Sequence, residues 1–226
     1  ANSPWSRLTS QRNALQTALS TIDGSESSVA AAAEAVQDAF GYPPVEEVTL
    51  RRSDEQLTVR GAMEHNACVL LATPISSIED FTESKPWHPV MRDAKPQNIS
   101  IGKLVTEVFL SDEAPEFIAV IAGNWVILTE RDAWPLGRYL GVDVALAVER
   151  NDAKAKGELE TVFAALAWEH IARAADGTTW WEGTITESRE HAVKVSEDLR
   201  QAIKESIEVI GNDVLNRYRA QGRSTA

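Results

Sequence analysis

The sequence predicts an α/β fold with a mixed sheet and a helical C-terminal extension. Three observations support this class. Residues 27–40 are rich in alanine, the residue with the highest helix propensity. Several short apolar or alternating segments between residues 45 and 129 have the length and pattern of strands. After residue 157 the apolar residues recur mainly at helical spacing. Strands between helical segments, followed by helices alone, indicate a mixed domain with an added helical part.

Two helices are predicted at the start of the chain. Ser3 and Pro4 are the residue types that open a helix, and apolar side chains follow at mostly helical spacing as far as Ile22. The alanine-rich residues 27–40 form the second helix. Gly41 and the prolines after it end this helix, because glycine adopts the left-handed cap and proline cannot continue the helix.

Five strands are predicted next. Residues 45–52 and 57–63 alternate apolar and polar side chains, whereas residues 67–73 form a continuous apolar run of strand length. Such a run predicts a central strand that is buried on both faces. Residues 117–122 and 125–129 flank Gly123-Asn124, a turn that accepts positive φ angles, and they predict a β-hairpin.

The segments between and after these strands are less regular. Residues 76–99 contain three prolines and no periodicity, which predicts a long irregular loop. Residues 101–110 predict a short amphipathic helix, and residues 142–148 are compatible with a strand or with a short buried helix. Helices are predicted for residues 157–174 and 187–219.

The predicted elements divide the chain into two parts. Residues 1–150 are expected to form the α/β domain, and residues 151–226 are expected to form a helical connector.

Composition and charge exclude several classes of protein. The 226 residues are 43% hydrophobic and 25% charged, as in ordinary globular proteins. The net charge of −12 repels phosphate backbones, so we expect the isolated chain to bind DNA poorly. The single cysteine, Cys68, excludes a disulfide framework and favours a reducing cytoplasm, and no apolar run is long enough to cross a membrane. A cytoplasmic protein without a membrane partner is therefore expected.

Motif searches leave few candidates for catalysis. Neither glycine-rich phosphate loop, GxGxxG or GxxxxGK[ST], occurs, so no cofactor-binding residue is predicted. A metal-dependent nuclease needs clustered carboxylates, usually with a lysine nearby. In the restriction-endonuclease fold these residues lie on a β-hairpin, as an Asp followed by (Asp/Glu)-x-Lys on the next buried strand. The matching strand here ends in Leu70-Leu71-Ala72-Thr73 and has neither an acid nor a lysine. Glu64, at the turn before this strand, is the nearest candidate ligand, and Mg²⁺ is expected only if the chain is an active nuclease.

Two further acids lie within or directly after the apolar segment of residues 141–148. Asp143 and Glu149 are candidates for a catalytic pair. Acids in such positions more often cap a helix or form ion pairs, here with Arg138 or Arg150, and we favour this structural interpretation.

The Trp87-His88-Pro89 sequence marks a candidate interaction site. A tryptophan in a loop can stack on a base or contact a protein partner. The alternative is that Trp87 anchors its own loop, which is the more common role of such a residue. Trp87 and His88 are therefore interaction candidates.

Three stretches together resemble a known group of proteins. Residues 117–128, with Gly123-Asn124 between two apolar strands, resemble the hairpin after the nuclease core in type I and type IIG restriction enzymes. Residues 134–143, and residues 191–200 with 205–212, are similar to the N-terminal region of large bacterial restriction–modification or phage-defence DNA methyltransferases. The resemblance covers about residues 100–220.

The resemblance implies a fold, a role and partners. It implies a restriction-endonuclease-like core that is followed by a helical connector, an adenine methyltransferase using S-adenosylmethionine, and a target-recognition domain. This chain would be the core and connector, with no cofactor of its own, and it would meet DNA through the remaining domains of the parent polypeptide. Because residues 70–73 lack the nuclease residues, we expect a structural or regulatory role. The alternatives are an active Mg²⁺-dependent endonuclease and a protein-binding adaptor that acts through the Trp87 loop.

Overall fold

The computed structural model describes residues 4–154 and 157–186, together with residues 200, 201 and 204. It contains an eight-stranded mixed sheet and several helices, which confirms the α/β class. The chain divides into two units, one ending at Trp180 and one beginning at Trp181. All elements named below belong to the first unit.

The bounds of the elements follow the chain order. The helices are α1 (Pro4–Ser20), α2 (Glu26–Phe40), α3 (Ile101–Phe109), α4 (Val144–Arg150), α5 (Glu158–Leu166) and α6 (Trp168–Ile171). The strands are β1 (Glu46–Arg52), β2 (Glu55–Glu64), β3 (Ala67–Leu71), β4 (Val90–Arg92), β5 (Lys95–Gln97), β6 (Phe117–Ala122), β7 (Trp125–Glu130) and β8 (Leu140–Asp143). Two short 3₁₀ helices are η1 (Ile78–Glu83) and η2 (Trp134–Leu136).

The sheet has the order β5-β4-β2-β3-β6-β7-β8, and β1 pairs with β2 outside this path. β3 and β6 run parallel, and the other neighbouring pairs in this sheet are antiparallel. The predicted hairpin is confirmed, because Ala122 pairs with Trp125 across a turn in which Gly123 has a φ of 68°.

Strands β3, β6 and β7, which we call the covered half of the sheet, carry helices on both faces. Every residue of β6 is buried. Cys68 and Leu70 belong to a cluster with the apolar side of α3, and side chains alternate between faces along a strand. On β6 and β7, α2 and α4 provide the other contacts. The prediction of a buried central strand at residue 67 onward is confirmed.

Strands β1, β2, β4 and β5, which we call the outer arm, are apolar on one face only. Leu50, Leu57 and Val59 join the α3 cluster. The alternate residues of the two long strands are mostly exposed and polar: Glu47, Thr49, Arg51, Gln56 and Arg60. The observed alternation agrees with the pattern of a strand that is covered on one side.

The expectation of an irregular loop over residues 76–99 is wrong in part. This segment contains η1, β4 and β5, and β4 pairs with β2. Phe81 and Val90 are 0% and 2% exposed and anchor the segment to the core. Two anchors this far apart give no periodic signal, which explains why the sequence pattern misses these elements.

Two helical predictions are also refined. Residues 142–148, whose pattern is compatible with a strand or a helix, belong partly to each. Strand β8 ends at Asp143, and helix α4 begins at the next residue. The predicted helix over residues 157–174 is interrupted, since Ala167 has an extended backbone between α5 and α6.

The compact unit includes helices that the sequence pattern places in the connector. α5 contacts α4 and α1, and the ring of Phe163 stacks on that of Phe40 at 5.6 Å. The predicted helix over residues 187–219, and the resemblance at residues 191–200 and 205–212, lie outside the described residues apart from 200, 201 and 204. Within the described part of the chain, no helix combines the length and the apolar character that crossing a membrane requires.

Candidate functional site

The structure does not bring the three candidate acids together. Glu64 pairs with Ala67, which lies beside the first residue of β6. Asp143 pairs with Trp125, which lies beside the last residue of β6. The six residues of this strand separate its two ends by about 17 Å, at roughly 3.3 Å per residue. Glu64 and Asp143 therefore lie at opposite ends of the sheet.

Asp143 has a structural role. Its carboxylate accepts a hydrogen bond from the backbone N–H of Leu146 at 3.0 Å and so caps the first turn of α4. Glu149 is exposed on the same helix, and Arg150 pairs with Glu158 at 3.0 Å. The prediction that these acids cap an element is confirmed for Asp143.

Glu64 lines an open cavity of about 580 Å³ at one end of the sheet. The cavity also contains Asp112 and Glu113, so its charge is mainly negative. The guanidinium of Arg131 donates to the carbonyl oxygen of Pro115 at 2.9 Å and is held by the cavity wall. Among residues 4–154, 157–186, 200, 201 and 204, no group of three or more His, Cys, Asp or Glu side chains has an arrangement that could hold a metal ion.

The C-terminal end of β3 is apolar, as the sequence indicates. Leu70 and Ala72 are 0% and 2% exposed, and Leu71 is half-buried. The backbone N–H of Ala72 donates to the carbonyl oxygen of Ile121 at 2.8 Å, and that of Thr73 donates to the carbonyl oxygen of Lys85 at 2.8 Å. The backbone N–H groups at this strand end are therefore satisfied by carbonyl oxygens of neighbouring segments.

The two interaction candidates lie beside this strand end. Trp87 and His88 are both half-buried, and the backbone N–H of Trp87 donates to the carbonyl oxygen of Leu71 at 2.9 Å. The two side chains line an open groove of about 420 Å³ between α2 and the sheet, which we call the α2 groove. Its other lining residues include Glu26, Ala30, Ala33, Glu34, Gln37, Asp38, Tyr42 and Arg60.

The α2 groove has an excess of negative charge. Glu26, Glu34 and Asp38 contribute carboxylates, and Arg60 contributes a permanent cation. Burial lowers the pKa of His88, and the nearby Arg60 lowers it further, although Glu26 acts in the opposite direction. The net effect of this environment favours the uncharged form of His88.

Tyr42 lines the α2 groove and carries a buried, unsatisfied polar group. The residue is 6% exposed, and its hydroxyl has no hydrogen-bond partner among the described residues. Its ring packs against Phe40 at 6.1 Å and against Trp168 at 6.0 Å, and burial raises the pKa of the phenol. A buried polar group without a partner is costly, so the hydroxyl of Tyr42 is a feature that needs a structural or functional explanation.

Sequence reasoning found one side of this groove and missed the other. Trp87 and His88 stand out as an aromatic pair in a proline-rich segment. The acids of α2 were missed because single charges on a helix usually indicate a solvent-exposed face. The spacing of Glu34 and Asp38, four residues apart on one helix face, was the available signal.

Cys68 does not contribute a nucleophile. It is 3% exposed on β3, and burial raises its pKa to about 12. The thiolate is the reactive form of cysteine, and at neutral pH this side chain stays protonated.

Comparisons of the chain with protein-family models, with curated proteins and with solved structures find no match. In the described residues, the α2 groove is the place where aromatic, charged and unsatisfied polar groups converge.

Proposed function

We propose that this chain is the structural or regulatory N-terminal domain of a restriction–modification or phage-defence DNA methyltransferase, with a degenerate restriction-endonuclease-like core. The proposal starts from the resemblance of residues 100–220 to that group. We expect no DNA cleavage because of one observation, which is that the end of β3 is apolar at Leu70, Leu71 and Ala72.

The chemistry of this strand end supports a structural role. Divalent cations such as Mg²⁺ are bound by carboxylate and carbonyl oxygens. Leucine and alanine side chains offer hydrocarbon only, and the carbonyl oxygen of Leu71 already accepts a hydrogen bond from the backbone N–H of Trp87 at 2.9 Å. Glu64 lies at the opposite end of β3, so it does not substitute for the missing ligands.

The division of the chain is compatible with a core followed by a connector, although the boundary lies at Trp180 and not at residue 150. A compact α/β unit runs to Trp180, and a separate unit follows. In the parent polypeptide, S-adenosylmethionine and DNA would be bound by the remaining domains. The acidic surface of this chain, with a net charge of −12, suits contact with basic parts of the parent better than direct contact with DNA.

A methylation assay tests the proposal. The full polypeptide from the same reading frame is incubated with DNA and S-adenosylmethionine that carries a labelled methyl group, beside the 226-residue chain alone. We expect label on adenine from the full polypeptide and none from the chain. Methyl transfer by the chain itself, or a reading frame that encodes no methyltransferase, would contradict the proposal.

A cleavage assay tests the degenerate core. The chain is incubated with supercoiled plasmid and Mg²⁺ or Mn²⁺, beside Glu64→Ala and Glu149→Gln variants. We expect no metal-dependent nicking from any of the three proteins. Nicking that depends on the metal and disappears in Glu64→Ala would establish the endonuclease alternative instead.

The second candidate function is a protein-binding adaptor, and the α2 groove favours it. Trp87 and His88 lie on the groove wall, where a partner can reach them. An adaptor role is compatible with a regulatory domain, because the partner can be a segment of the parent polypeptide.

A further inference from the structure

The α2 groove has an elongated shape. Its lining on α2 runs from Glu26 to Asp38, a distance of about 18 Å at roughly 1.5 Å per helical residue. The facing wall contains Arg60, Leu71 and Trp87. An occupant that uses this length is itself elongated, and an extended peptide of about five or six residues spans the same distance.

The groove presents carboxylates that lack a cation. Glu34 and Asp38 are one helical turn apart, so their charges repel. The last turn of α2 contains no basic residue, and the helix macrodipole adds negative potential there. Neither carboxylate has an ion-pair partner in the part of the chain that the structure describes. A cationic group placed between them relieves this repulsion.

Two further residues point to a ligand independently of the acids. The buried hydroxyl of Tyr42 lacks a hydrogen-bond partner among the described residues, and Tyr42 lines the groove. Trp87 also lines the groove and is half-buried, and an indole ring attracts ammonium and guanidinium groups. A peptide with lysine or arginine side chains supplies a cation for the indole ring.

We infer that the α2 groove binds an extended peptide segment that carries lysine or arginine side chains. The cations of the segment lie against Glu34 and Asp38, with Trp87 on the facing wall. Arg60 opposes the same cations and limits the affinity. This inference goes beyond the proposed function, since it names the chemistry of the partner and does not require that the partner belong to a methyltransferase.

Peptide binding to the purified chain tests the inference. The probe is a fluorescein-labelled hexapeptide of alternating arginine and glycine, and binding is measured by fluorescence anisotropy at low and high salt. We expect saturable binding that weakens with salt, because the attraction is electrostatic. The corresponding glutamate–glycine peptide is expected not to bind.

A pair of matched double variants separates the groove from the overall charge. Glu34→Gln with Asp38→Asn removes two carboxylates from the groove and is expected to weaken binding by about tenfold. Asp132→Asn with Glu149→Gln removes two exposed carboxylates elsewhere and is expected to change the affinity by less than about twofold. An equal loss in both double variants would show attraction to the whole acidic surface and would overturn the inference.

A variant that is expected to bind more tightly complements the variants that are expected to bind more weakly, because misfolding would be mistaken only for a loss of affinity. Arg60→Gln removes the opposing cation and is expected to tighten binding by about threefold, an effect opposite in sign to that of the two carboxylate changes. Unchanged or weaker binding in this variant contradicts the inference.

A polyamine provides the competing ligand. Spermine is titrated against the bound peptide, and we expect it to displace the peptide only at much higher concentration. If the affinity for spermine equals or exceeds the affinity for the peptide, the groove would be assigned to a small polyamine, and the inference of a peptide ligand would be overturned. Because none of these measurements involves methyl transfer, their failure is distinguishable from failure of the proposed function.

Discussion

The covered half and the outer arm of the sheet meet where β3 pairs with β2, but they differ in how they are buried. In the covered half, β6 is buried at every residue. In the outer arm, β1 has Leu50 as its buried residue, and the residues on either side of Leu50 are exposed. The difference arises because helices pack on both faces of the covered half, whereas one face of the outer arm remains open.

This contrast indicates where stability and where function lie. Apolar area removed from water is the main source of folding free energy, so the covered half carries most of the stability. The α2 groove lies where the helical layer meets the arm, and it contains Arg60 of β2 and Leu71 of β3. Binding groups are available there because the arm is not covered by α2.

The largest expected effect comes from the covered half. Leu70 is 0% exposed, and truncation to alanine leaves a cavity beneath α3. We expect Leu70→Ala to lower the free energy of unfolding by about 3 kcal/mol, measured by urea denaturation. Leu136→Ala is the control, since Leu136 is 65% exposed and its truncation should cost less than about 0.5 kcal/mol. Similar losses at the two sites would remove the contrast between buried and exposed positions.

The second effect depends on pH. The Cys68 pKa is about 12 in the folded chain, above its ordinary value of 9.0, so the unfolded chain loses this proton first as pH rises. Stability is therefore unaffected below about pH 8 and falls between about pH 9 and 12. At pH 10.5 the loss from this group is about 2 kcal/mol.

The matched variant isolates the cysteine. Cys68→Ala is expected to lose less stability than the wild type between pH 7 and pH 10.5, while both proteins keep the alkaline contribution of Tyr42, whose pKa is also raised by burial. The measurement is the urea midpoint at the two pH values. Parallel losses in wild type and variant would mean that the thiol is not buried as described.

The third effect tests the role of Asp143. Loss of an N-cap carboxylate costs about 1 kcal/mol, and asparagine caps a helix as well as aspartate does. We therefore expect Asp143→Ala to lower the free energy of unfolding by about 1 kcal/mol and Asp143→Asn to leave it nearly unchanged. If asparagine were as damaging as alanine, the charge rather than the cap would be the important property.

The contrast between the two halves also explains how much of the fold the sequence predicts. The covered half was predictable because its strands form continuous apolar runs, and the β6–β7 hairpin has Gly123-Asn124 between them. The β4–β5 hairpin was not, because each strand has only three residues, and β5 has Pro96 and exposed Lys95 in place of an apolar pattern. Its position depends on pairing with β2, which is a contact distant in sequence.

The site was less predictable than the fold. Glu64 and Asp143 are separated by strand direction and register, and neither property can be derived from composition or spacing. The α2 groove joins a helix near residue 34 to a loop near residue 87, and only the folded chain brings these segments together. The hydroxyl of Tyr42 lacks a partner among the described residues, a property that depends on the surrounding side chains.

The smallest expected effect belongs to the open face of the outer arm. The hydroxyls of Thr49 and Thr58 lie 3.3 Å apart in a directly paired position of β1 and β2. Because Thr49 is exposed, Thr49→Ala should cost only about 0.3 kcal/mol, near the low end for cross-strand pairs. Thermal unfolding with a double cycle to Thr58→Ala measures the coupling. A coupling above about 1 kcal/mol would mean that the open face is shielded from water, and the outer arm would then need a covering partner to explain its stability.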